Sequence, residues 1–400
     1  MRADVAIVGG GIVGATLALL LAERARIKAA RIVVIEPSPA VAPASGSAFE
    51  LRVSAIAPGN RALLIELGVW QQLDASRIAD YERMLVWHES VPPDSPDVLC
   101  FDAAEAGEPD LGSIVENNAL QAHLLQRCAA QDVFIIHETL RALHVDADAA
   151  TLDLGGTQVV AELVVGADGA ASAVRSMLGL QAQHRDYGQR AIVATVRGQR
   201  SHGRAAWQRF LSTGPLALLP LPGDECSIVW SAVNERADAL LALAPQEFES
   251  ELTAASAAVL GALRLTSERA AFPLRRLAAQ DYAQERAVLV GDAAHVIHPL
   301  AGQGVNQGIE DAVALAAALA QRPARESPGA LAALLRYQRE RRAGNALIAA
   351  TVDALDLLFT GSGALRSWAA REGMAMVGRS AAARRFLVRQ AAAGRSWPRR

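Results

Sequence analysis

Residues 4–23 read DVAIVGGGIVGATLALLLAE: a short apolar run, Val5–Val8, three successive glycines, then an apolar stretch long enough for a helix. Gly9, Gly11 and Gly14 carry the spacing G-x-G-x-x-G. The first glycine of such a turn permits the tight reversal, and the second lets backbone approach a pyrophosphate. The third allows close packing of helix on strand, and the helix N-terminus adds partial positive charge. A second apolar run, RIVVIEP (31–37), ends at Glu36, whose carboxylate can accept hydrogen bonds from a ribose. Strand, glycine turn, helix, strand and acid together predict a dinucleotide site on an α/β fold.

That pattern does not choose between NAD and FAD, but two later segments bear on the choice. AELVVGADGAASAVR (161–175) runs a strand into Asp168-Gly169, with Ser172 and Arg175 following at helical spacing; an ordinary Asp-Gly turn is the plainer reading. GDAAHVIHPLAGQGVN (291–306) follows the apolar run Ala287–Val290 and repeats the design. Three strand-end sites across most of the chain suit one extended ligand, and FAD has that reach where a nicotinamide cofactor rarely needs it. Between about 185 and 275, segments such as WQRFLSTGPLALLPLPGDECSIVWS read as extended chain broken by Gly-Pro and Pro-Gly turns, an inserted antiparallel sheet. Beyond about 308 the chain turns helical.

Bulk composition narrows the class. With 52% apolar and 20% charged residues the chain is globular, and a net charge of −3 gives no footprint for nucleic acid. Lysine occurs once, at Lys28, a bias of composition rather than chemistry. Cys100, Cys128 and Cys226 are scattered, supporting neither a zinc site nor a disulfide framework. His295 and His298 stand three apart, but no cysteine or further histidine joins them and Pro299 breaks a helical face, so no metal is expected. A structural or cofactor-adjacent role fits them better, with a general base as the alternative. No signal peptide or membrane span is read, which points to the cytoplasm. From Arg379 to Arg400 there are seven arginines and no acid, with Phe386, Leu387, Val388 and Trp397 between them. This is a solvated basic end or an amphipathic segment lying on an anionic membrane surface or a partner.

These motifs resemble the group A flavoprotein aromatic hydroxylases, and HPLAGQGVN (298–306) is similar to the signature of the ubiquinone-biosynthesis hydroxylases of the UbiH/UbiI/UbiF type. ELRVSAIAPGNRALLIELGVW (50–70), VENNALQAHLL (115–125), WQRFLSTGPLALLPLP (207–222) and YQRERR (337–342) extend the resemblance over nearly the whole chain. It implies a Rossmann-like, para-hydroxybenzoate-hydroxylase-like FAD-binding domain with an inserted substrate sheet and a helical C-terminus. The divisions it suggests are 1–80, 101–185 and 276–330 for the FAD domain, 81–100 and 186–275 for the substrate domain, and 331–400 for the helical end.

By the same resemblance Gly9, Gly11 and Gly14 hold the pyrophosphate, Glu36 the adenosine ribose, and Asp292 the ribityl chain. Arg52 and Gln121 face the FAD, with a surface ion pair as the other reading of Arg52. Asp168 supports cofactor and nicotinamide handling. Pro299 to Gly304 pass beside the isoalloxazine, which sets Pro299, Gly302 and His298 at the reaction centre, while Gly304 and Asn306 begin a helix aimed at the flavin. Gln307 stands where the family pattern has an apolar residue. The implied reaction reduces FAD with NADH or NADPH, takes up O2 to give a C4a-hydroperoxide, and hydroxylates a polyprenylated phenol, with C5 slightly favoured. A soluble hydroxylase of a small aromatic, and a non-catalytic scaffold in a quinone-biosynthesis complex, stand as alternatives. Peripheral contact with the inner face of the cytoplasmic membrane is the expectation attached to the basic tail.

Overall fold

Four apolar residues in succession, as at Val5–Val8, mark a strand buried on both faces, which a parallel sheet covered by helices provides. In the computed structural model, which describes residues 1–296, 304–359 and 380–392, Arg2–Val8 lies between the strands Gln158–Gly166 and Ile32–Ile35. Ala287–Leu289 and Phe134–Ile136 flank these, and all five run parallel. The register sets Val8 opposite Gly166 and Ile35, and Gly166 opposite Leu289. The loops that begin at Gly9, Glu36, Ala167 and Val290 therefore leave one edge together, at the carboxyl ends of the strands where open α/β sheets bind ligands. The helix Ile12–Arg24, buried along most of its length, packs against this sheet and against the helices Asn117–Ala130 and Gly304–Ala320.

The second sheet has nine strands, antiparallel except where Arg83–His88 pairs with Ala205–Leu211. Its alternation has period two. Leu216, Leu218, Ile228 and Trp230 turn toward Leu240, Phe248 and Leu252 in a separate hydrophobic core. Ala217, Leu219, Val229 and Ser231 turn the other way, into a cavity. Besides the extended segments read in 185–275, two helices, Asn234–Ala242 and Pro245–Ala255, form the backing of this sheet. The second starts with Pro245 in its first turn and Glu247 accepting from the Ala244 amide at 3.1 Å, a local start signal that the turn-rich surroundings obscure.

The two sheets meet at the short strand His295–Val296, which pairs with Ala270–Ala279 directly after the Gly291–Ala293 turn. A three-stranded sheet, Val53–Ile56, Gly112–Glu116 and Ala79–Tyr81, stands beside the junction. The helices Leu331–Phe359 and Ala381–Ala392 follow. Among the described residues no helix is long and apolar enough to cross a membrane.

Candidate active site

The first turn is shaped by contacts that only glycine allows. Gly9 has φ of +101°, and a Cβ there would lie 2.3 Å from the Ala167 carbonyl oxygen. A Cβ on Gly14 would lie 2.0 Å from the Gly9 oxygen, so the helix can approach the strand only without one. Gly11 differs: a Cβ there would meet nothing within 4 Å, and the residue faces the cavity. Its bare backbone leaves room for a ligand rather than for protein. Glu36 supports the turn, accepting from the Gly10 amide at 2.8 Å through one oxygen and from the Ser38 amide at 3.0 Å through the other. A carboxylate has about four lone-pair sites, so both oxygens keep capacity for a ribose. Gln121 donates to the Gly10 carbonyl at 3.1 Å and lines the same cavity.

The other two turns are held by residues that the motifs alone do not single out. Asp168 turns inward: its oxygens accept from the Ser172 hydroxyl at 2.5 Å and the Val174 amide at 3.1 Å, so it shapes its own loop. Arg175, buried, donates to the carbonyls of Ala170 at 2.9 Å and Ala293 at 2.8 Å and ties this loop to the Gly291–Ala293 turn. Burial lowers its pKa, with Asp168 opposing the effect. Behind the turn lies Asp311, fully buried. One of its oxygens accepts from both the Gly291 amide (2.9 Å) and His295 Nε2 (2.6 Å), while the other accepts from Arg341 Nε (2.6 Å). His295 must carry its proton on Nε2, since an ionised carboxylate only accepts. Arg341 also binds Glu310, Asn345 and the side chain of Gln307. The polar residue at 307 is thus part of a buried network. Against the cost of burial, His295 and Arg341 hold the Asp311 carboxyl down at about 2.

The cavity, about 490 Å³, opens between these turns and the second sheet. Arg52 and Asp292 share it. Asp292 is exposed on its wall, although protein packs around much of the carboxyl. Desolvation pushes its carboxyl above the usual range, and His295 and Arg52 pull part of the way back. Among the described residues nothing hydrogen-bonds to it. The segment leading to Arg52 is anchored by a buried pair that sequence reading missed, Arg77 with Glu116, joined through two contacts of 2.7 Å. Arg77 also binds the Ser47 carbonyl, and Glu116 the Glu50 amide.

Gly304 and Val305 bring the start of the long helix to the cavity, where its positive end favours negative charge. Asn306 faces away from it. Its oxygen accepts from the Ala57 amide and the Asn60 side chain, and its nitrogen donates to the Ala55 carbonyl at 2.7 Å. Pro299, Gly302 and His298 lie outside the described residues, as do Arg379 and Trp397 of the tail.

Residues 2–351 match the FAD binding domain family. The chain is 40% identical to ubiquinone hydroxylase UbiL of Rhodospirillum rubrum, over 97% of this chain and 89% of that protein. The chain belongs to this family of FAD-dependent monooxygenases. It is also 38% identical to 3-demethoxyubiquinol 3-hydroxylase of Escherichia coli, over 90% of this chain and 89% of that protein. In fold it resembles p-nitrophenol 4-monooxygenase PnpA of Pseudomonas putida, with a TM-score of 0.76 at 18% identity over 99% of both chains. The residues suit the family's cofactor: Gly11 leaves an open backbone cradle, and the Asp292 carboxylate faces the cavity without a partner among the described residues. The glycine turn and Asp292 are the residues that would hold FAD there.

Proposed function

We propose that this monooxygenase hydroxylates the ring of a polyprenylated phenol in ubiquinone biosynthesis. Bound FAD supplies the oxygen-activating chemistry, with NADH or NADPH as reductant. Over the whole reaction a ring C–H becomes C–OH, the second oxygen of O2 leaves as water, and the nicotinamide gives up a hydride. The chain's part is to hold the ring against the cofactor and keep water out. The observation that carries the reading is the wall of the cavity. Arg52 is the one cation lining it among the described residues, and it stands near Asp292 on the cofactor side. The sheet wall opposite offers Met84, Ala206, Ala217, Leu219 and Val229 with neutral polar groups, which favours a neutral, apolar ring over an aromatic acid. The open cradle at Gly11 weighs against a scaffold without a cofactor.

A membrane-borne substrate suits a peripheral enzyme. On the helix Ala381–Ala392, Phe386 is 60% and Leu387 41% exposed, between the exposed Arg385 and Arg389, and we assign this face to contact with the anionic inner leaflet. Analysis of quinones in a gene deletion tests the main reading. An under-hydroxylated, prenylated precursor should accumulate and disappear on complementation, and its structure names the ring carbon. A normal quinone pool in the deletion would transfer the assignment to a small soluble aromatic.

A further inference from the structure

Of the polar side chains around the cavity, Arg52, Tyr81 and Asp292 have no side-chain hydrogen bond among the described residues, whereas the Ser54 hydroxyl donates to Asn117 at 2.7 Å and Gln121 donates to Gly10. Gln208 and Ser231 belong with the first group. Both lie on the sheet wall, 6% and 3% exposed, and both line the cavity. Among the described residues neither side chain has a hydrogen-bond partner. Gln189 and Thr195, on a neighbouring strand of the same sheet, have side-chain oxygens sealed from solvent without a partner. The polar atoms of Gln208 and Ser231 are not sealed in this way and open into the cavity.

A buried polar group without a partner costs free energy comparable to a lost hydrogen bond, and a ligand that supplies the partner recovers it. The register fixes where the two groups stand. Gln208 pairs with Ala217, Ala217 with Val229, and Ser231 lies two residues beyond Val229 on the same strand. Two strand spacings across and two residues along put their backbones about 12 Å apart, the span of one aromatic ring with a hydrogen bond at either end. The amide and the hydroxyl can each donate and accept, and neither carries charge. The surface between them, Ala217 and Val229, is apolar and low, as a flat ring requires.

We infer that Gln208 and Ser231 are specificity-determining residues that read two oxygen substituents on opposite sides of the ring. Gln208 takes the phenol hydroxyl, and Ser231 donates to a second oxygen already on the ring when it binds. The inference rests on the phenol reading above and narrows it: the favoured substrate is a neutral phenol that an earlier oxygenation has modified, carrying a hydroxyl or an ether in addition to the phenol group.

Calorimetric titration of the FAD-loaded protein with a short-chain alkylphenol and with its methoxy-substituted counterpart tests this without turnover. In the wild type the methoxy compound should bind several-fold more tightly. Ser231→Ala should erase that advantage while leaving the affinity for the plain alkylphenol unchanged. Gln208→Met should weaken both compounds roughly tenfold, the usual scale for one neutral hydrogen bond in a dry site. FAD content and thermal midpoint identify a variant that has not folded, and Gln208→Leu, which also removes both polar atoms, then replaces Gln208→Met with the same expected loss. Wild-type discrimination retained in Ser231→Ala, or wild-type affinities in the Gln208 variants, would overturn the inference alone. A wild type that ignores both phenols and binds the carboxylated ring would overturn the phenol reading beneath it.

Discussion

Asp292 and Asp311 lie on either side of one turn and titrate in opposite directions. Asp311 has the Arg341 guanidinium and the His295 N–H against it, so its carboxyl is held at about 2. A carboxyl depressed on folding contributes stability that is fully present above about pH 4, the unfolded value, and is lost as pH falls toward the folded one. Desolvation raises the Asp292 carboxyl, so its ionised form opposes folding, but the residue is exposed at the cavity and solvent screens most of that cost. Asp292→Asn should therefore raise the melting temperature of the apoprotein only slightly, by about 1 °C or less, and weaken FAD binding at least ~10-fold, since a charged acceptor is lost. An apoprotein that melts lower, or an unchanged FAD dissociation constant, contradicts the role given to Asp292. Asp311→Asn should act oppositely, lowering stability by roughly 3–5 kcal/mol, because Arg341, 2% exposed, loses its central partner. Asp292 stands out in the sequence because a glycine precedes it and a strand ends there. Asp311 does not, although the adjacent acids Glu310 and Asp311 at the head of the apolar helical run IEDAVALAAALA are themselves a sign of a basic partner.

At the scale of elements, the helix Gly304–Ala320 must lie close to the helix Ile12–Arg24 to reach the cavity, and Gly308 makes this possible. A Cβ at position 308 would fall 2.4 Å from Cγ2 of Val13. Replacing a helical glycine by alanine ordinarily gains about 1 kcal/mol of helix propensity. Overpacking at this contact costs about 1–3 kcal/mol, so Gly308→Ala should be net destabilising by roughly 1 kcal/mol and should displace the helix start from the cavity. Val13→Ala in the same chain should recover most of the loss, whereas additive effects in the double mutant would show that the two side chains do not collide. Local elements such as these were legible in the sequence, since periodicity and glycine spacing act over a few residues. The bonding of Asn306 was not, since it binds Ala57 from 249 residues away. Asp168 was not legible for a different reason: its partners, the Ser172 hydroxyl and the Val174 amide, are close in sequence, but its inward orientation depends on the loop conformation. The helices behind the second sheet were hidden because turn signals on both sides outweighed the apolar spacing between them.

For the whole molecule, the cavity draws on stretches from Gly11 to Val305, so the site exists only when the parallel sheet and the second sheet are assembled. The C-terminal helix docks far along the chain from that junction. Arg384 forms a two-pronged ion pair with Glu105, and Val388 is buried, which leaves Phe386, Leu387, Arg385 and Arg389 facing outward. The inward residues fix the helix on the body, so its outer face is a rigid surface in place before any membrane is met. Burying two large apolar side chains is worth about 1.5–3 kcal/mol each, and each arginine near an anionic surface adds about 1 kcal/mol that salt screens. The full chain should sediment with vesicles containing phosphatidylglycerol and be released in part by raised salt. Phe386→Asp with Leu387→Asp should reduce that partition at least ~10-fold, with FAD content unchanged because, among the described residues, the helix packs mainly on Leu99–Asp102 and Ala103–Ala106. Equal binding by the double variant, or equal binding to vesicles of neutral lipid at any salt, would mean that this face meets something other than an anionic membrane.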